Sequence, residues 1–179
     1  MTANYCIKMT LESLLKDYAT FNLWANAQTV NWLKTKPLQL MIREVPSSFP
    51  SLHQTLLHIW GAEKVWLERL RQVQPEPFLF QTFNGTTEDV FDGILKISEQ
   101  FKTYVETLPD AAFSEICHFR LLNGTEDSRP RHQMIHHCIN HSTYHRGQIV
   151  TIARNLELTD PPATDFMRYV RLKSEGKAL

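Results

Sequence analysis

His141 and His145 stand four residues apart in a segment whose apolar positions recur at helical spacing. The stripe runs Met134, Cys138, His141, His145, Ile149, Ile152, Leu156. At about 100° per residue the two imidazoles project within about 40° of each other, one turn apart, so both can reach one metal ion. A single histidine on an apolar face is more often a hydrogen-bonded core residue than a ligand. Two adjacent ones each need a polar partner once buried, and one cation supplies both. Two ligands hold a metal weakly, so the reading requires a third donor from another element. The candidates are His53, His58, His118, an interior carboxylate and Cys138. His58 shares a flank with Ala62 and Val65, away from the polar sector of Gly61, Lys64, Glu68 and Arg71, and can point inward. His53 lies at a helix start, and Cys138 reads as a buried core thiol. Glu63 falls within the Leu52, Ile59, Leu70 face. It is either a surface ion-pair member or a buried proton acceptor and partner to a ligating imidazole. His132 and His136 point away from the stripe and are expected to be solvated, while His137 sits at its edge.

Four long helical patterns must position these residues. The first opens at Thr10, with Ser13 three residues on, and runs through Leu11, Leu14, Leu15, Tyr18, Ala25 and Trp32. The second begins at Pro50 or Ser51 and carries Leu52, Leu56, Ile59, Trp66 and Leu70, stopping before Pro75. The third opens at Thr86 or Thr87, with Glu88 and Asp89 on its positive end, and ends before Pro109. The fourth extends from about Pro130 to Leu156. An alternating piece from Ile116 to Leu122 followed by Asn123-Gly124 permits a small hairpin, and Asp165 to Ser174 a short closing helix. The spacing predicts an all-α four-helix bundle in one domain spanning residues 1–179. The long Gln74 to Gly85 connection allows an up-down-down-up order as readily as simple up-and-down.

Composition narrows the function. Nineteen Lys plus Arg balance nineteen Asp plus Glu, with no long basic run, which argues against a nucleic-acid partner. No apolar run is long enough to span a membrane, and Met1 to Met9 lack the apolar core of a signal peptide. Cys6, Cys117 and Cys138 are odd in number and show no CxxC spacing, which suits free thiols in the cytoplasm. A chain of 179 residues folds by burial alone. A metal site in it is therefore to be suspected of chemistry rather than of structural support.

At these residues the chain resembles the DinB family, which includes the YfiT-like proteins. The matching pieces are His58-Ile59-Trp60-Gly61-Ala62-Glu63 with Trp66, then Asn140-His141 and His145-Arg146-Gly147-Gln148-Ile149. Pro161-Pro162-Ala163-Thr164-Asp165-Phe166 with Tyr169 is similar to the family's closing segment. The resemblance implies an up-down-down-up bundle and a divalent metal held by three histidines, here His58, His141 and His145. It also implies a homodimer and, for some members, transferase chemistry on a small-molecule thiol.

Three imidazoles would leave an open coordination position, the layout of a catalytic site. Imidazole suits zinc, nickel, iron or copper, with zinc or nickel favoured. Such a metal activates water for hydrolysis or a thiol for S-transfer. Glu63, Tyr144 and Arg146 are the candidates for proton transfer or anion contact, each also readable as a packing, surface or capping residue. Two other classes compete: a non-catalytic metal-binding or stress-response dimer, and a bundle whose core histidines are merely satisfied. The Leu38 to Pro50 loop, the Phe78-Leu79-Phe80 segment and the hairpin are candidate pocket walls.

Overall fold

The computed structural model describes residues 9–73, 79–121 and 123–177. It is mostly helical, with four long helices: α1 (Leu11–Lys34), α2 (Leu52–Leu70), α4 (Thr87–Thr107) and α5 (Arg131–Asn155). The short helices are α3 (Leu79–Thr82) and α6 (Phe166–Ser174), and a hairpin pairs β1 (Ile116–Arg120) with β2 (Glu126–Pro130). The starts of three long helices follow directly from side chains. Thr10 and Ser13 form a capping box on α1, Thr86 and Asp89 form another on α4, and the Ser51 hydroxyl accepts from the Gln54 amide on α2. The hairpin turn passes through Gly124 at φ 85°, a left-handed conformation that glycine adopts without strain. Cys6 and Phe78 lie outside the described residues.

Each long helix packs against two others: α1 against α4 and α5, and α2 against the same pair. Side-chain contacts set the registers. Lys16 meets Asp110 just beyond α4, and Lys34 meets Asp92 near its start, so α1 and α4 run antiparallel. His58 meets His145 and Trp66 meets His137, so α2 and α5 also run antiparallel. The Tyr104 hydroxyl donates to the Leu70 carbonyl and His53 meets Thr87, so α2 and α4 run the same way. Helix α6 closes one end, with Phe166 and Tyr169 packed on Tyr18 and Phe21.

The apolar core falls into two clusters. One contains Leu15, Phe21, Leu67, Phe101, Met134 and Ile139; the other contains Val30, Ile59, Ile94, Ile149 and Ile152. Near the change from one cluster to the other, on all four long helices, stand buried polar residues: Asn22 and Asn26 on α1, Glu63 on α2, Ser98 on α4, Ser142 and Arg146 on α5. The buried face of α5 is therefore broader than the stripe read from sequence, taking in Ile135, Ile139, Ser142 and Arg146 as well. His132 is a correction. It is half-buried, its Nδ1 3.0 Å from the Phe113 carbonyl, because the turn after α4 folds over the start of α5.

Gly93 lets α4 approach α2 closely, since a Cβ there would overlap the six-membered ring of Trp60. Trp60 is itself set edge-on to Phe83, with centroids 5.5 Å apart. Gly93→Ala is expected to destabilise the protein by about 1–3 kcal/mol, although alanine is the better helix former. Urea unfolding measures this, and Trp60→Leu combined with Gly93→Ala should recover part of the loss.

Candidate metal centre

Helix α5 presents two polar pairs offset by one residue: His141 with His145, and Ser142 with Arg146. Successive residues are about 100° apart, so one helix turns its two faces to two different tasks. The histidines face α2. His58 Nε2 lies 3.1 Å from His141 Nε2 and 3.0 Å from His145 Nε2, and the last two are 3.0 Å apart. Phe49, from the Leu38 to Pro50 loop, stacks on His58 with centroids 4.0 Å apart and meets His145 edge-on at 5.6 Å.

Protons alone do not satisfy this triangle. Each imidazole nitrogen has a single in-plane position that holds either a hydrogen or a lone pair. One donor between two acceptors leaves two lone pairs facing, and two donors leave two hydrogens facing. A cation accepting all three lone pairs removes the conflict. The spacing suits that role: three nitrogens about 2.0–2.1 Å from a common ion stand about 2.8–3.4 Å apart across facial octahedral to tetrahedral angles. Among the described residues these three form the group of His, Cys, Asp and Glu side chains that can hold a metal ion.

Neighbouring groups prepare the rings for that role. His145 Nδ1 lies 2.7 Å from Gln148 Oε1, an acceptor, which places the proton on Nδ1 and leaves the Nε2 lone pair toward its partners. His141 Nδ1 is buried without a partner. Burial, and then the neighbouring His145, pushes His58 down to about 4, and the same causes with His58 and His137 push His141 down to about 3. Burial also lowers His145, opposed by its Gln148 hydrogen bond. All three are neutral near pH 7, the form that ligates.

The other candidates fall elsewhere. His53 pairs with Thr87, and His118 pairs with Ser128 on the hairpin. Cys138 is fully buried, and desolvation, with Glu63 nearby, raises its thiol well above the ordinary range. His136 is exposed; His137 is exposed too but packs edge-on to Trp66 and lines a cavity with His141. Tyr144 is 65% exposed, its ring 5.0 Å from that of His145.

Glu63 and Arg146 come together with one another's partners rather than with the imidazole nitrogens. Glu63, 0% exposed, accepts from Asn22 Nδ2 at 2.7 Å, Asn26 Nδ2 at 2.9 Å, Ser142 Oγ at 2.8 Å and Ser98 Oγ at 2.7 Å. Arg146, 3% exposed, donates through Nη1 to Asn22 Oδ1 at 2.9 Å and Asn26 Oδ1 at 2.8 Å, and through Nη2 to Thr143. The two amides thus lie head to tail between guanidinium and carboxylate. Desolvation pulls Arg146 down to about 10, with Glu63 opposing, so it keeps its charge. The sequence reading missed Asn22, Asn26, Ser98 and Ser142. The available signal was polar pairs at i and i+4 on otherwise apolar faces, Asn22 with Asn26 and Ser142 with Arg146.

Two outcomes follow from these environments. Arg146→Met or Glu63→Gln alone is expected to cost about 3–5 kcal/mol, because each leaves the other charge buried and uncompensated. The double variant should cost clearly less than the sum, read by urea unfolding of the four proteins. Protein stripped with a chelator is expected to lose stability as pH falls from about 6.5, the ordinary histidine value, toward the folded value of about 4 for His58. In that window the unfolded chain binds more protons than the folded one, so the unfolding midpoint should rise with pH. His141→Gln should flatten the slope and His136→Ala should leave it.

Comparison with known proteins places the chain in a family. The model of the DinB family matches residues 9–177. The chain is also 27% identical over 168 aligned residues to Protein DinB of Bacillus subtilis (strain 168), an alignment covering 88% of this chain and 94% of that protein. With the match running from the start of α1 to past the end of α6, the chain belongs to the DinB family.

Proposed function

We propose that this protein is a metal-dependent enzyme of the thiol S-transferase or hydrolase type, built on an up-down-down-up four-helix bundle. His58, His141 and His145 hold a divalent ion, zinc or nickel, and leave a coordination position open. The observation that carries the reading is the meeting of three Nε2 atoms within 3.1 Å of one another from two helices. The bundle topology is supported by the registers described above, with α1 antiparallel to α4, and α2 antiparallel to α5 but parallel to α4. A bound ion would supply Lewis acidity, lowering the pKa of a thiol or a water at neutral pH.

The chain's own residues supply the remainder. Burial keeps the imidazoles neutral, Gln148 orients His145, and Phe49 shields the His58 ring. Leu57, Val65 and Trp66 give the adjoining cavity apolar walls, which exclude water from the side where a substrate would enter. A small-molecule thiol as co-substrate, action as a homodimer and a cytoplasmic setting complete the proposal. The free, buried Cys117 and Cys138 suit a reducing compartment. Among the described residues no helix is long and apolar enough to cross a membrane.

Metal analysis of untagged protein tests the centre. About one divalent ion per chain is expected, lost on His58→Ala, His141→Ala or His145→Ala and kept on His136→Ala. A panel of thiols with electrophilic acceptors then tests the activity, which chelator and His145→Ala should both abolish. Metal without chelator-sensitive turnover would leave a non-catalytic metal-binding dimer as the better reading.

A further inference from the structure

A cavity of about 310 Å³ opens along the seam between α2 and α5. Two of the three clustered histidines, His58 and His141, line it, and its walls are Leu57, Val65, Trp66 and Leu121. Eleven residues along α2 from His58, on the same flank as Ala62 and Val65, the lining includes Arg69. At about 1.5 Å per residue, the two backbone positions stand about 16 Å apart along the helix.

Arg69 is the anomaly of this cavity. It is 5% exposed, yet no carboxylate pairs with it among the described residues. Its hydrogen bond runs from Nη2 to the Arg120 carbonyl at 2.9 Å, and its Nε is buried with no acceptor. Trp66 and Phe119 lie against the guanidinium, with centroids 4.7 and 5.1 Å from its carbon. The contrast with Arg146 is informative. Arg146 also buries an Nε without an acceptor, but its Nη1 meets two amide oxygens and, beyond them, Glu63. A guanidinium withdrawn from water without a counter-charge is costly unless an anion reaches it. At Arg69 the space from which one would come is the cavity.

We propose that this cavity takes an elongated, mostly apolar ligand ending in a carboxylate, which Arg69 holds while the other end reaches His58 and His141. The anionic end rests on Arg69 and the cavity alone; the role of the far end rests on the metal reading above. The arrangement selects a substrate by its tail. The planar fork of arginine suits a carboxylate bidentately, and the low polarity of the walls strengthens that bond while rejecting a second charge in the middle of the molecule.

Calorimetry on chelator-treated protein tests the anionic end without any metal, using 4-phenylbutanoate and its neutral amide as probes. The carboxylate is expected to bind at least about tenfold more tightly, Arg69→Met to erase the difference, and Arg69→Lys to retain part of it. Thermal melts check that each variant is folded, and the wild-type comparison decides even if Arg69→Met is not. Equal affinities of the two probes, or a preference that survives Arg69→Met, would overturn the proposal and leave Arg69 as a strut between α2 and the hairpin.

A second arm loads the protein with cobalt(II) and titrates 8-mercaptooctanoate against 8-mercaptooctanol, following thiolate-to-cobalt absorption. A gain of about tenfold for the acid, lost in Arg69→Met, supports both ends. Carboxylate preference in calorimetry with no cobalt–thiolate band supports the Arg69 site and sinks the metal reading. A band equally strong for acid and alcohol, with no preference in calorimetry, sinks the Arg69 site and keeps the metal.

Discussion

A carboxylate and a guanidinium can be taken out of water together only if the polar atoms between them are matched, and this requirement organises the core. Glu63 and Arg146 meet it through Asn22 and Asn26, whose amides accept from the arginine and donate to the glutamate. Ser98 and Ser142 complete the carboxylate's partners, so all four long helices contribute. A shift of any helix by one residue would carry a donor or acceptor onto an apolar neighbour. Hydrophobic packing alone tolerates such slips far better, because apolar contacts are not directional. The polar layer, set between the two apolar clusters, is thus what we hold responsible for the register.

Register matters because the three histidines come from two helices far apart in sequence. His141 and His145 are fixed relative to each other by α5 itself. His58 meets them only if α2 and α5 are aligned to within a fraction of a turn, and Glu63 and Ser142, hydrogen-bonded to each other, tie those same helices. Ser142 and Arg146 adjoin the two ligand candidates in the chain, so the group that locks the helix and the group that faces the seam move as one. Glu63 and Arg146 act in this account through position rather than by touching a reacting atom.

How much was legible in the sequence differs between levels. Helix starts were readable because their causes are local: Thr10 with Ser13 and Thr86 with Asp89 carry their own hydrogen-bond partners within three residues. The hairpin and closing helix were readable for the same reason. The width of the buried face on α5 was not. Ser142 and Arg146 break the apolar pattern, and only the partners on α1 and α2 make their burial tolerable. Likewise His132 reads as solvated until the turn holding Phe113 is seen to fold over it.

The sequence by itself determined that His141 and His145 share a helix face, since the spacing of a regular helix depends on nothing beyond the chain's own backbone geometry. It also determined, through resemblance to a family, which third histidine to suspect. Only the tertiary structure decided that His58 reaches the other two at 3.0–3.1 Å, and that Arg69 is buried farther along the same cavity with no carboxylate paired to it among the described residues. The physical reason is separation along the chain. His58 and His141 are 83 residues apart, and what brings them together is the sum of packing and polar matching over four helices, which no local window contains.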